Sequence, residues 1–185
     1  MKRVIAAAVV STALMSSAAF AQSNTDTADM VVSGTVNQEC SIENPNDVTF
    51  AEVNINEGAG SNALLLQNGS QSNSQNIYVS CNYAAKLAAT STNDGLLNAA
   101  GLSLAQNDPD DFTNKIEYRV LLNATDSSFP NLDFRTRLEA SDSVNAGGAF
   151  HNDALLRVVI DRDDTAKRPV AGVYTDTAVL TLGPV

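Results

Sequence analysis

Residues 171–182 read AGVYTDTAVLTL. In the second half of this stretch, Ala178, Leu180 and Leu182 alternate with Thr177, Val179 and Thr181. A period of two residues is the pattern of a β-strand with one buried face. The stretch therefore predicts a strand over 174–182 that packs one face against a core.

The same alternation recurs upstream in short runs bounded by Asn, Asp, Ser and Gly. It predicts further strands at 30–36, 76–81, 115–122 and 154–160, with weaker ones at 48–53, 63–67 and 132–138. Asn68-Gly69 is a hairpin-type turn signal, and the Ala-rich run 83–89 fits a helical turn as well as a strand. Short strands with frequent turns and no long helical pattern predict an all-β, antiparallel β-sandwich.

The first 21 residues have the features of a secretory signal peptide. Lys2 and Arg3 precede an apolar run, and a small-x-small pattern ends at Ala21, so cleavage is expected between Ala21 and Gln22. The apolar run is much shorter than the roughly 20 residues that a membrane-spanning helix needs. We therefore expect an exported chain that is not inserted in a membrane after cleavage.

Export determines how the two cysteines are interpreted. An oxidising compartment pairs thiols, so Cys40 and Cys81 are expected to form one disulfide. Closing a loop of about 40 residues stabilises a fold by roughly 4 kcal/mol on the chain-entropy model. With both cysteines paired, no thiol nucleophile remains.

Composition and missing motifs argue against several functions. The chain has 11 Lys and Arg against 21 Asp and Glu, a net charge of -10, which disfavours nucleic-acid binding. His151 is the single histidine, and phosphate-binding or nucleophile motifs are absent. The acidic clusters at 108–111 and 161–164 lack the spacing of a calcium-binding loop. We expect no enzyme, no cofactor and no metal site, and we attribute Glu117 and Arg119 to cross-strand pairing.

The C-terminal stretch resembles the AGxYxDxxxVxV ending of the spore coat protein U family, which includes the pilins of archaic chaperone-usher pili. Gly172, Tyr174, Asp176, Leu180 and Leu182 carry this resemblance. Other landmarks agree in order, namely CSI at 40–42, IYVSC at 77–81, IEYRV at 116–120 and LRVVI at 156–160. The chain departs from the family at VTFA, 48–51, where an aromatic residue followed by Gly is usual, and at its ending GPV, 183–185.

The resemblance implies an immunoglobulin-like sandwich, residues 37–185, that lacks its last strand and is completed by donor-strand exchange. A periplasmic chaperone would fill the open groove first, and the N-terminal strand of a neighbouring subunit would replace it at an outer-membrane usher. The implied function is that of a structural subunit in a cell-surface pilus, reached through the periplasm and serving adhesion or biofilm formation. One domain fits a shaft or adaptor subunit better than a two-domain tip adhesin.

Residues 22–36 are the candidate donor segment. Within it, alternate positions are apolar or small, with the set Ala28, Met30, Val32, Gly34 and Val36 on one face. The same run would also serve as the first strand of a complete sandwich. A second hypothesis is accordingly a complete, monomeric, secreted binding module directed at carbohydrate or dependent on calcium, and a third, a secreted hydrolase, would depend on His151.

Overall fold

The computed structural model describes residues 26–185. The predicted signal peptide, the cleavage site between Ala21 and Gln22, and residues 22–25 of the donor segment lie outside the described residues. The chain divides into two units, residues 1–35 and residues 36–185. Residues 26–35 of the first unit contain no helix or strand, and Met30, Val31 and Val32 are all more than four-fifths exposed.

The strand predicted over 30–36 is therefore a wrong prediction for the isolated chain. Alternation shows that a segment suits a strand, but a strand forms only where a neighbour supplies backbone hydrogen bonds. No strand is assigned anywhere in the described chain before Cys40.

The second unit contains twelve strands among the described residues. In chain order they are β1 Cys40–Ile42, β2 Ser70–Cys81, β3 Ala85–Ser91, β4 Leu96–Leu97, β5 Phe112–Thr113, β6 Lys115–Ile116, β7 Arg119–Ala124, β8 Leu132–Arg135, β9 Ser141–Ala146, β10 Phe150–Asp161, β11 Arg168–Pro169 and β12 Ala178–Pro184. A 3₁₀ turn, Ala99–Gly101, continues into the one-turn helix α1, Leu102–Ala105. No helix in the described chain is long and apolar enough to cross a bilayer.

Two antiparallel sheets form the body of this unit. The larger has the strand order β1-β2-β10-β7-β8, and the smaller has the order β12-β3-β9. The strands β2 and β10 pair along their whole length, from Ser70 opposite Asp161 to Cys81 opposite Phe150. Two small pairs, β4 with β6 and β5 with β11, complete the pairing.

Both sheets contribute to one hydrophobic core. Ile77, Leu122 and Phe134 of the larger sheet and Leu87 and Ala89 of the smaller belong to the same buried cluster. Two antiparallel sheets that share one core are a β-sandwich, so the predicted all-β sandwich is confirmed. The predicted inward face of 115–122 is also confirmed, because Ile116, Tyr118, Val120 and Leu122 are all buried.

Several boundaries differ from the predicted ones. The strand predicted at 115–122 is interrupted, because β6 pairs with β4 whereas β7 pairs with β8 and β10. The strand predicted at 76–81 begins earlier, at Ser70, and the one predicted at 174–182 begins later, at Ala178. The weak prediction at 132–138 is confirmed only as far as Arg135.

Other segments have a different secondary structure from the one predicted. The weak runs 48–53 and 63–67 contain no strand, although Leu66 of the second run forms an isolated bridge with Ile55. Residues 83–89 contribute to β3 and not to a helix, because β12 and β9 flank them on both edges. Asn68-Gly69 forms a bend before β2 and not a two-residue hairpin, although Gly69 has the positive φ of 96° that the motif suggests. Strand β9 is not among the strands predicted from the sequence.

Candidate functional site

An open groove of about 920 Å³ lies in the second unit. It is lined mainly by two stretches that are distant in sequence, residues 48–55 and residues 169–176. Leu96, Phe112 and Ile116 also line it, and Ile116 is almost fully buried. The second stretch leads directly into β12, so the groove lies beside the C-terminal motif.

The surface of the groove is mostly apolar. Phe50, Val53 and Tyr174 are half-buried and pack against the core from the lining. Leu104 and Val173, which also line it, are 54% and 80% exposed. A concave apolar surface with exposed apolar side chains at its rim is typical of a site that binds another chain or ligand.

Gly172 fixes the path of the 169–176 stretch. Its φ is +147°, a conformation that side chains rarely adopt, and a Cβ there would lie 2.1 Å from Nδ2 of Asn98. Asn98 is buried, and its amide donates to the carbonyl oxygen of Ala171 and accepts from the N–H of Gly101 at 2.8 Å. Glycine is therefore required where the chain passes over this asparagine.

Tyr174 and Asp176 hold the rest of the motif. The Tyr174 hydroxyl donates to the carbonyl oxygen of Val170 at 2.7 Å, and burial raises the pKa of this tyrosine. The Asp176 carboxylate accepts hydrogen bonds from the Ser91 hydroxyl, the Asn93 N–H at 3.0 Å and the Tyr118 hydroxyl at 2.7 Å. Burial, and then the hydrogen bond to Asp176, raise the pKa of Tyr118 well above its ordinary value.

Strand β12 forms one edge of the smaller sheet. It pairs with β3 from Ala178 opposite Ser91 to Pro184 opposite Ala85, and within residues 36–185 it has no second ladder partner. Leu180 and Leu182 are half-buried against the core and do not line the groove itself. The motif thus lines the groove with residues 172–176 and then continues into an edge strand.

The five candidate donor residues lie in exposed chain. Met30, Val32 and Val36 are each at least 81% exposed, and Ala28 and Gly34 are also exposed. None of them belongs to a strand of the described chain. An extended apolar face that stays in water is unfavourable unless a partner covers it.

The disulfide is confirmed. Cys40 and Cys81 are bonded and are directly opposite each other where β1 pairs with β2. The bond therefore fixes the chain at the point where it enters the larger sheet. It agrees with folding in an oxidising compartment.

The remaining sequence candidates have ordinary structural surroundings. His151 stacks on Tyr78 on the exposed face of the larger sheet, with ring centroids 5.7 Å apart. Arg119 forms an ion pair with Asp133 of the adjacent strand, as cross-strand pairing predicts, and Glu117 accepts from the Thr136 hydroxyl at 2.6 Å.

The two acidic clusters also have local partners. Asp164 pairs with Arg137 at 3.1 Å, and Asp111 pairs with Arg168. Within residues 26–185, no three side chains of His, Cys, Asp or Glu are grouped as metal ligands.

Some residues of the site carry no recognisable motif. The 48–53 stretch reads as a weak strand, and Asn98 lies in a loop. Gln71 and Gln75, which hold residues 46–54 beside β2, do follow the period of Ile77 and Val79. That alternation was the available signal, but polar side chains at inward positions do not read as a buried face. No protein-family model, no curated protein and no solved structure matches this chain.

Proposed function

We propose that this chain is a structural subunit of a surface pilus or fibre, assembled by the chaperone-usher pathway through donor-strand complementation. Residues 28–36 of one copy occupy the groove of the next copy. The assembled fibre supports adhesion or biofilm formation. In this proposal the protein has no catalytic role and uses no cofactor.

The observation that carries the proposal is the open apolar groove. The groove has about 920 Å³ of free volume, and β12, which follows the lining stretch 169–176 in the chain, has a ladder partner on one edge only within residues 36–185. Unpaired strand edges with apolar surroundings bind extended segments through main-chain hydrogen bonds. A strand bound in the groove would cover its apolar surface.

The N-terminal segment suits such a groove in length and pattern. Nine extended residues from Ala28 to Val36 span about 30 Å. Alternate residues face the same side, so Met30 and Val32 can enter the groove while Val31 stays outside. Gly34 has no side chain, which allows a close approach of the two backbones at that point.

The partners and the location follow from the resemblance to archaic chaperone-usher pilins. A periplasmic chaperone would cover the groove after export, and the outer-membrane usher would exchange it for the segment of a neighbouring subunit. The disulfide between Cys40 and Cys81 supports passage through an oxidising compartment.

The test is gel electrophoresis of the exported full-length protein in SDS without boiling, after co-expression with its periplasmic chaperone. Donor-strand assembly predicts a ladder of multimers that collapses to monomer on heating, because each inserted strand is held without covalent bonds. A single monomer band that is indifferent to the chaperone would contradict the proposal. That result would favour a complete, monomeric binding module.

A further inference from the structure

The two edges of β2 are paired very differently. One edge pairs with β10 over all 12 residues. The other pairs with β1 only at 79–81. Alongside the remainder of this second edge lie residues 46–54, hereafter the bridged segment, and no ladder pair joins the described residues of this segment to β2.

Within the described chain, two glutamine side chains of β2, and no backbone ladder, join it to the bridged segment. The Gln75 amide donates to the carbonyl oxygen of Asn46 at 2.9 Å and accepts from the N–H of the same residue at 2.8 Å. The Gln71 amide accepts from the N–H of Asn54 at 2.9 Å and donates to the carbonyl oxygen of Glu52 at 3.0 Å. Each side-chain amide therefore offers the donor and acceptor that a peptide group of a neighbouring strand would offer.

These bridges set the spacing of the bridged segment. Adjacent strands in a ladder lie about 4.8 Å apart. Because Gln71 and Gln75 reach the segment through side chains, its backbone is held farther from β2 than a ladder partner would be. Both glutamines are half-buried, as expected for side chains enclosed between two pieces of backbone.

Between Asn46 and Asn54, the backbone N–H groups of the segment have no acceptor in the described chain. Within residues 26–185, no backbone N–H from 47 to 53 donates a hydrogen bond. Val48, Phe50 and Val53 nevertheless pack toward the interior and line the groove. The stretch 47–53 thus lines the groove with its side chains and leaves its backbone N–H groups available to a bound strand.

We propose that Gln71 and Gln75 are positioning residues that hold the bridged segment as a preformed second edge of the groove, to which the incoming strand of a second copy bonds. This inference rests on the proposed function. The inserted strand would lie in the groove between 47–53 and residues 169–176, and would bond to the free backbone N–H groups of 47–53. A segment that is already held in its bound position loses less conformational entropy when the strand binds.

The test uses the full-length chain carrying Val32→Asp, which disables its own donor segment. The probe is a fluorescent peptide of residues 26–37, and the readout is its rate of incorporation below the unfolding transition. Gln71→Met with Gln75→Met keeps side-chain length but removes all four bridging bonds, and should slow incorporation about tenfold. Asn73→Leu is the matched control, because Asn73 is an amide on the same face of β2 between the two glutamines. It should leave the rate unchanged.

Hydrogen exchange on the Val32→Asp chain gives a second readout that does not depend on how the glutamine variant folds. Without peptide, the amides of Asn46 and Asn54 should exchange slowly and those of 47–53 quickly. With peptide bound, the 47–53 amides should become protected. Peptide binding without this protection would overturn the role of the glutamines but not the proposed function. The same holds for an unchanged incorporation rate in a folded glutamine variant. No binding of the peptide to the Val32→Asp chain would overturn the proposed function as well.

Discussion

Asp176 joins the C-terminal motif to two other parts of the sandwich. Its carboxylate accepts from Ser91 and Asn93, which lie at and just after the end of β3, and from Tyr118 in the core. Since a neutral apolar side chain would leave these donors without partners, the carboxylate has a structural role that the motif alone does not reveal.

Asp176→Ala should lower the free energy of unfolding by about 3 kcal/mol, because a buried donor that loses its acceptor costs 1–3 kcal/mol. Equilibrium denaturation in urea measures this directly. Asp110→Asn is the control, since Asp110 is exposed and makes no side-chain hydrogen bond within residues 26–185. Equal stability of the two variants would show that the Asp176 network contributes little.

Gly172→Ala should destabilise the fold by about 2 kcal/mol or more. The added methyl group would lie 2.1 Å from the Asn98 amide at a backbone conformation that favours glycine. Gly183→Ala provides the comparison, because a Cβ at Gly183 has nothing within 4 Å. Thermal unfolding of the two variants should separate them, and matching transitions would contradict the close approach.

We expect the free energy of unfolding to fall at alkaline pH because of Tyr118. Its folded pKa is raised above the ordinary value of 10.0, so the folded state holds the proton more tightly than the unfolded state does. The resulting stabilisation is complete below pH 10 and is lost as pH rises above 10. Denaturation between pH 8 and 11 should therefore show a steeper decline for the natural chain than for Tyr118→Phe. Parallel curves would show that Tyr118 titrates normally in the fold.

The disulfide joins the shortest strand of the larger sheet to β2, one of its two 12-residue strands. β1 has three residues, and Cys40 lies opposite Cys81 in its pairing with β2. A three-residue strand gains little from its own ladder. The disulfide and the flanking hydrogen bonds, such as that from the Glu43 N–H to the carbonyl oxygen of Tyr78 at 2.9 Å, together hold the chain at this point.

Replacing Cys40 and Cys81 together by serine should cost about 4 kcal/mol, as expected for a loop that spans 41 positions. Urea denaturation of the natural chain with and without reductant provides the same comparison without mutation. A difference below about 1 kcal/mol would mean that packing alone holds β1 in place.

Sequence alternation located the central strands but not their limits. Ile77 and Val79 marked the apolar half of β2, whereas its first half was missed because Gln71, Asn73 and Gln75 occupy the same face. The interruption between β6 and β7 also has no sequence signal, since Tyr118 continues the apolar face without a break. Pairing with different neighbours creates that boundary, and pairing is a property of the tertiary structure.

The candidate site was only partly predictable for a related reason. The C-terminal motif and the alternating N-terminal segment are local patterns, and both were visible in the sequence. The groove arises where 48–55 and 169–176 come together, which depends on sheet topology. The glutamine bridges depend on the same topology, because Gln71 and Asn54 are 17 residues apart.

The whole chain combines an exposed alternating segment with a sandwich that carries an open groove. Changing one of two neighbouring residues on opposite faces of the segment provides a stringent test of whether the segment binds in the groove. Val32 and Val31 are neighbours, are 81% and 92% exposed, and differ in which face of an extended segment they occupy.

The decisive measurement is therefore unboiled SDS gel electrophoresis of exported full-length protein carrying Val32→Asp or Val31→Asp, beside the natural chain. A charge that enters an apolar groove is costly, whereas the same charge on the outer face stays in water. Donor-strand complementation predicts a heat-labile ladder from the natural chain and from Val31→Asp, and monomer from Val32→Asp. A natural chain without a ladder, or equal behaviour of the two variants, would contradict it.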